Sequence, residues 1–485
     1  MLKQILPFAG AALLLFFVFR SSAPDDSPQN ISGTVLDAAD TLAPIAVAAK
    51  DHKGKNVISR KGVITFTTGF DNDYYPLDSV NRIGFLYLEA KLDKFINERA
   101  TKVPLNLSIV IDHSGSMQGE KMEYAKKAAK EIVNKLTPDD YVSIVIYDES
   151  IEVIQTSVQV LDKAVITGKI DKIRSAGSTN LWGGTEKGYE QVKANYKKSY
   201  VNRVLLISDG LANVGITSNY EIKKKVQGYK DQEGITLSTF GVGLDYNELL
   251  MTDMAEAGSG NYYFIDSPDK MTTLFDKELN GLLNVAAQNA ELKIKLPAGV
   301  KLKKIYSAKY EEKGDELHIQ YRDLFSEEIK GVLFSFSIDD KVNDPLKFIS
   351  TLSYDDISDN HREFLINENV LNPCHDIDTW LTYYNKSVLQ QAILFVANEN
   401  MEKAMLEADK GNYDKARGLI NGNRKYLESK AEYVKDLPEL QTMDSTNTGY
   451  FIELQSAEAM STDSVKYMQK SNRAKSYKLR NKKKQ

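Results

Sequence analysis

Asp112, Ser114 and Ser116 stand at alternate positions in the segment "LSIVIDHSGSM", directly after a run of apolar and small residues. All three side chains offer oxygen, with no sulfur or imidazole needed beside them. Oxygen-only sets suit hard divalent cations, Mg²⁺ above all, with Ca²⁺ or Mn²⁺ as alternatives. Gly115 lets the backbone fold tightly enough for both hydroxyls to face one point. Three side chains do not complete a six-coordinate shell, and two further segments supply more. "SAGSTNLWGG" offers Thr179 in a Gly/Ser loop before a helix, and "VLLISDGLAN" ends an apolar run in Asp209. Two carboxylates meeting in one crevice repel each other unless a cation or a proton offsets them.

The elements that must position these side chains follow from the patterning. Between 105 and 284, short β-branched runs bounded by Gly, Asp or Ser alternate with helical stretches such as "EKMEYAKKAAKEIVNKL". Runs that are apolar throughout read as strands buried on both faces of a mostly parallel sheet. Strand and helix in alternation predict a doubly wound α/β domain. Ligands of such sheets bind at the carboxyl ends of the strands, where the strand order reverses. On either side the chain reads as β-structure of period two: "GVITFTTGF" and "RIGFLYLEAKL" before it, and "AELKIKLPAGVKLKKI", "DELHIQY", "GVLFSFSI" and "LKFISTLSY" after it. The economical arrangement is one β-sandwich built from 61–104 and 285–365, with the α/β domain inserted as an excursion. Residues 366–470 read as a helical region, in which "MEKAMLEADKGNYDKARGLI" resembles one helix-turn-helix unit of the tetratricopeptide type. A single copy does not make an array. The end of the chain, 471–485, reads as a solvated basic tail.

With these residues in place, the chain resembles the von Willebrand factor type A (VWA) domains, which bind metal at a metal-ion-dependent adhesion site. The family signature is Asp-x-Ser-x-Ser after the first strand, a Thr in a middle loop and an Asp after the fourth strand. Asp112, Ser114, Ser116, Thr179 and Asp209 match it in order, over roughly 103–283. The resemblance implies that Ser114, Ser116 and Thr179 ligate the metal directly, while Asp112 and Asp209 supply charge and orient waters. It further implies that a partner protein donates an Asp or Glu carboxylate to the remaining position. His113, Trp182, Asn213 and Tyr246 fall on or near the strand-end loops and are the expected rim of that contact. The wider layout also looks like exported bacterial VWA proteins with flanking strands and a following helical segment.

Composition bounds the remaining possibilities. The 485 residues suffice for roughly two to four domains. The net charge of −5 gives no global drive toward nucleic acid or anionic lipid. Cys374 is the sole cysteine, so no internal disulfide forms. Residues 5–19 form an apolar run after Lys3, of signal-sequence length and short of the ~20 residues of a comfortable span. The expectation is export to the periplasm or cell envelope, with 1–23 as signal peptide or signal anchor and 24–60 as linker. The five histidines are scattered, and neither a GxSxG elbow nor a Walker A loop occurs. The expectation is a metal-dependent adhesion or assembly module and not an enzyme. The alternatives are a scaffold whose metal only stabilises the fold, and a metal-dependent hydrolase.

Overall fold

The computed structural model describes residues 51–482, apart from 80–81, 95–102, 210, 268–269 and 358–360. The expected signal sequence and most of the linker, residues 1–50, lie outside the described residues. Among the described residues no helix is long and apolar enough to cross a membrane.

The central unit carries a six-stranded sheet. Its strands are β5 (Leu105–Asp112), β6 (Tyr141–Tyr147), β7 (Ile151–Gln159), β8 (Val201–Ser208), β9 (Thr236–Val242) and β10 (Ser259–Ile265), in the order β10-β9-β8-β5-β6-β7. All neighbours run parallel except β7, which returns antiparallel along β6 as an edge strand. Strands β5 and β8 are buried at every position, as continuous apolar runs between two helical layers must be. Helices α1 (Glu120–Lys135), α2 (Lys163–Ile170) and α6 (Lys270–Leu283) cover one face, where Leu107, Ile109 and Ile111 meet Ala125, Ala129, Ile132 and Phe275. Helices α3 (Leu181–Ala194), α4 (Asn219–Gly228) and α5 (Glu248–Ala257) cover the other, around Val110, Val204 and Leu206. After β5 the chain first builds outward through β6 and β7, then crosses back to lay β8 on the opposite side of β5. The strand order therefore reverses between β5 and β8, and the crevice between their carboxyl ends is the natural ligand position.

The flanking strands are β1 (Val57–Lys61), β2 (Ile64–Phe70), β3 (Tyr74–Pro76), β4 (Ile83–Leu92), β11 (Val285–Lys295), β12 (Val300–Tyr306), β13 (Glu311–Lys313), β14 (Glu316–Phe325), β15 (Ile329–Ile338), β16 (Leu346–Asp356) and β17 (Arg362–Cys374). They form two sheets, β1-β2-β4-β15-β12 and β13-β14-β11-β16-β17-β3. Each sheet mixes strands from before and after the α/β unit: β4 pairs antiparallel with β15, and β3 pairs parallel with β17. Their inner faces share one core in which Phe66, Leu86, Leu88 and Phe334 meet Leu292, Ile294, Phe348 and Leu352. Strand β17 extends the second sheet to Cys374, nine residues beyond the boundary at 365 expected from the sequence. Its alternating Asn367 and Asn369 are buried and hydrogen-bonded to β1 and β2, and polar inward positions hid the strand from a hydrophobic pattern.

Alternation on β4 has two destinations. Leu86 and Leu88 enter the sandwich core, while Phe85 and Tyr87 face a helical layer. That layer comprises α7 (Ile377–Thr382), α8 (Lys386–Asp409), α9 (Tyr413–Glu428), α10 (Ala431–Val434), α11 (Pro438–Gln455) and α12 (Thr462–Arg480). Ala404, Ala408 and Ala416 are buried where α8 turns into α9, because small side chains let the two helices approach. The last helix corrects the expectation of a solvated tail. Arg473 pairs with Glu248 at 3.1 Å, the Tyr477 hydroxyl accepts from the Tyr262 amide at 3.1 Å, and Tyr477 is buried in the α/β core. Lys475 and Lys478 occupy outer positions of an amphipathic helix while Lys470 is buried against Tyr246, and the composition of the segment masked the inner face.

Candidate functional site

Strand β5 delivers Asp112 in register with Tyr147 of β6 and opposite the end of β8. A short 3₁₀ turn, Gly115–Met117, follows at once and is closed by the Met117 amide donating to the Ser114 carbonyl at 3.0 Å. The turn brings the two serine hydroxyls to 3.1 Å from each other. The Ser116 hydroxyl donates to Asp209 Oδ1 at 2.7 Å, so residues 93 positions apart meet in one chain of oxygens. Asp112 lies beneath: its Oδ1 accepts from the Ser114 amide at 2.9 Å, and its Oδ2 from Ser208 Oγ at 2.7 Å and Tyr147 OH at 3.4 Å. Both carboxylates are fully buried and Ser114 nearly so, while Ser116 is exposed. The cluster therefore opens to solvent on the Ser116 side.

Burial pushes the Asp112 carboxyl above its usual range, with hydrogen bonds from Ser114 and Ser208 opposing and the Asp209 charge adding. Asp209 has its own counter-ion: the Lys121 ammonium, from the first turn of α1, sits on Asp209 Oδ2 and also reaches the Ser116 carbonyl at 3.4 Å. The donor set fits a hard cation. Two hydroxyls and a carboxylate lie in mutual contact, a second carboxylate stands directly behind, and oxygen is the only ligating element. Among the described residues no group of three or more His, Cys, Asp or Glu side chains is placed to hold a metal ion.

Thr179 lies on the neighbouring loop, which is tied to the serine turn by Gly115 N to Gly177 O at 3.1 Å and Ala176 N to His113 O at 2.8 Å. The Thr179 amide donates to Asn213 Oδ1 at 2.9 Å, and its carbonyl accepts from the Asn213 amide at 3.1 Å. Asn213 thus braces the threonine loop and is itself exposed. Asn180 starts helix α3 by accepting from Gly183 N at 3.1 Å, and Gly184 lets that helix nest on the Tyr147 ring, where a Cβ would stand 2.3 Å from a ring carbon.

The rim expected from the sequence needs correcting. Trp182 is only 2% exposed and packs in the core near Tyr229. Tyr246 is 3% exposed and hydrogen-bonds Tyr262 OH at 2.7 Å. Neither faces solvent. His113 hydrogen-bonds the Arg174 carbonyl through Nδ1 at 2.9 Å, with Nε2 3.7 Å from Asp148 Oδ2. The residue just beyond Asp209 that does face solvent is Leu211, 55% exposed. Sequence reasoning also missed Ser208, Tyr147 and Lys121. Ser208 carried a signal, a hydroxyl immediately before the strand-end aspartate; Lys121 had none beyond its place one turn after the motif.

The family model of the von Willebrand factor type A domain matches residues 106–277. An uncharacterized protein of Escherichia coli strain K12, YfbK, is 35% identical over 198 residues, which are 40% of this chain and 34% of that protein. The chain thus spans about a third of that relative's own length. Among solved structures, a von Willebrand factor type A protein from Catenulispora acidiphila superposes with a TM-score of 0.64 at 14% identity, over 80% of this chain and 91% of that one. The ArnB paralog VWA2 from Sulfolobus acidocaldarius gives a TM-score of 0.59 at 16% identity, over 86% and 99%. At those identities the likeness concerns the fold.

Proposed function

We propose that this protein, whose residues 106–277 form a von Willebrand factor type A domain, is an interaction module that captures a partner's carboxylate through a divalent cation. The observation that carries the reading is the contact chain Ser114–Ser116–Asp209 over a buried Asp112, at the reversal point of the sheet and open at Ser116. Ser114 and Ser116, with Thr179 from the adjoining loop, would hold the ion, and Asp112 and Asp209 would balance its charge. Mg²⁺ suits this set best, with Ca²⁺ and Mn²⁺ as alternatives. A bound ion with an open position is a Lewis acid ready for an Asp or Glu side chain from outside. The role is adhesion or assembly and not catalysis. The apolar run at 5–19 supports export to the envelope, held there or released by cleavage.

The test is thermal unfolding of the protein with Mg²⁺, Ca²⁺ or Mn²⁺, beside Asp112→Ala and Asp209→Ala. A ligand at ~100 times its dissociation constant stabilises the state that binds it by about 2.7 kcal/mol. The expected result is a saturable rise in wild type that both variants lose, together with binding of an Asp-bearing peptide that EDTA abolishes. Stabilisation by metal without any peptide binding would instead make the ion a structural brace. Peptide binding that survives EDTA would sink the proposal.

A further inference from the structure

Lys121 occupies an unusual position for a surface helix. Its ammonium pairs with a carboxylate that is fully buried, while its own side chain is 26% exposed. No other cation pairs with Asp112 or Asp209 among the described residues, so Lys121 supplies the positive charge beside these two carboxylates. A divalent cation held by Ser114, Ser116 and Thr179, with Asp209 balancing its charge, would bring like charge against that ammonium, and the two must compete for Asp209.

A second carboxylate lies within reach of the displaced lysine. The loop from β9 to α5 passes beside its stem, and a Cβ built on Gly243, whose φ is +76°, would stand 3.2 Å from Lys121 Cε and 3.3 Å from Nζ. Two residues on, Asp245 is 61% exposed and hydrogen-bonded to Lys466 of α12 at 2.7 Å. Lys466 holds the Asp245 carboxyl below its usual range, and the Lys121 and Lys470 charges add to that effect. The same helix grips the rest of the loop: Lys470 Nζ donates to the Tyr246 carbonyl at 2.8 Å, and Arg473 pairs with Glu248 at 3.1 Å.

We infer that Lys121 is a displaceable internal counter-ion which yields Asp209 to the metal, moves to Asp245 and there competes with Lys466, so that metal occupancy loosens the seat of helix α12. This rests on the metal-binding reading of the cluster. It makes the C-terminal helix a sensor of the site, with the loop 243–247 as the link. No covalent step is involved; one ion pair is exchanged for another.

The experiment measures Mn²⁺ affinity of the full chain by counting free Mn²⁺ with electron paramagnetic resonance, with amide hydrogen exchange as a second readout. Lys121→Met is expected to bind Mn²⁺ about tenfold tighter, equivalent to 1.4 kcal/mol, and to melt below wild type when metal-free. Asp245→Asn, a change at an exposed side chain, is expected to weaken Mn²⁺ binding several-fold. That weakening should vanish in the double variant with Lys121→Met, because the lysine it would receive is gone. In wild type, Mn²⁺ should speed exchange across 462–480, and in Lys121→Met it should not. Unchanged affinity in Lys121→Met, with wild type binding Mn²⁺, overturns the counter-ion role while the metal reading stands. An Asp245 effect that persists in the double variant reduces it to long-range electrostatics and overturns the exchange. No Mn²⁺ binding by wild type overturns both readings together.

Discussion

Asp71 is a carboxylate outside the candidate site whose environment makes a pH-dependent claim. It is 4% exposed, accepts from the Phe85 amide at 2.7 Å, and has its pKa pushed up to about 7 by burial, with backbone hydrogen bonds opposing and Asp73 adding. An acid whose folded pKa lies above its unfolded value binds its proton more tightly in the folded state. Its contribution is therefore most favourable below pH ~4 and is lost as pH rises toward 7, at a slope of about 1.4 kcal/mol per pH unit. Asp71→Asn keeps the acceptor oxygen and removes the charge. Denaturant titrations from pH 4 to 8 should show the variant gaining on wild type as pH rises; a constant difference would show that Asp71 stays protonated, or stays charged, throughout. The same physics shapes the candidate site, where Asp112 and Asp209 are buried together, the Lys121 ammonium pairs with Asp209, and burial raises the Asp112 carboxyl. Burial is what converts oxygen-bearing residues in a sequence into a site with an electrostatic demand.

At the scale of elements, strand β8 and helix α6 are joined through a buried ion pair. Arg203 and Glu278 are each 1% exposed and 2.8 Å apart, and Glu278 also accepts from Ser238, Tyr263 and Asn261. Burial alone would raise the Glu278 carboxyl; Arg203 and these donors together bring it below its usual range. Removing one partner strands the other charge, so Arg203→Met should cost roughly 3–5 kcal/mol in chemical denaturation. The double change Arg203→Met with Glu278→Leu should recover much of that loss. A single variant within 1 kcal/mol of wild type would show that the surrounding hydroxyls and amide carry the pair. The pairing also bears on what patterning reveals. Strand β8 was legible as an apolar run, but Arg203 within it finds its counter-ion in α6, 75 residues later, and further acceptors in β9. Edge strand β7 shows no unbroken apolar run, and β17 places Asn367 and Asn369 at inward positions of its alternation, so neither stands out in a hydrophobic pattern.

Among the described residues an α/β unit, a sandwich and a helical layer pack together, with the last helix reaching from the helical layer into the α/β core. Tyr477 comes from the helical region, yet it is 4% exposed within the α/β core, with its ring set edge-on to Tyr262 at 5.5 Å. Truncating a buried aromatic typically costs about 3–5 kcal/mol. Tyr477→Ala should therefore lower overall stability by that order and split a concerted unfolding curve into two transitions, readable by tyrosine fluorescence and circular dichroism together. A loss below 1 kcal/mol with one retained transition would place the coupling elsewhere in α12. The interdigitated sheets make the converse point: β4 cannot leave β15 without opening the sandwich, so the inserted unit is anchored by strands on both its chain ends.

The amino-acid sequence by itself singled out the oxygen-bearing residues that the fold gathers in one crevice. Asp112, Ser114, Ser116 and Asp209 were legible because strand-end oxygen donors follow buried apolar runs, and local pattern sets both. The doubly wound order was legible for the same reason, since the strands of a parallel sheet are buried on both faces. Only the tertiary structure decided which side chains stand beside that cluster. Lys121, Ser208 and Tyr147 reach it from other elements, and Trp182 in the first turn of α3 and Tyr246 in the loop before α5 turn inward. It alone also decided that residues 462–480 form a docked helix. Orientation after a turn, and the destination of an amphipathic face, depend on contacts with residues tens to hundreds of positions away, and these are absent from any local pattern.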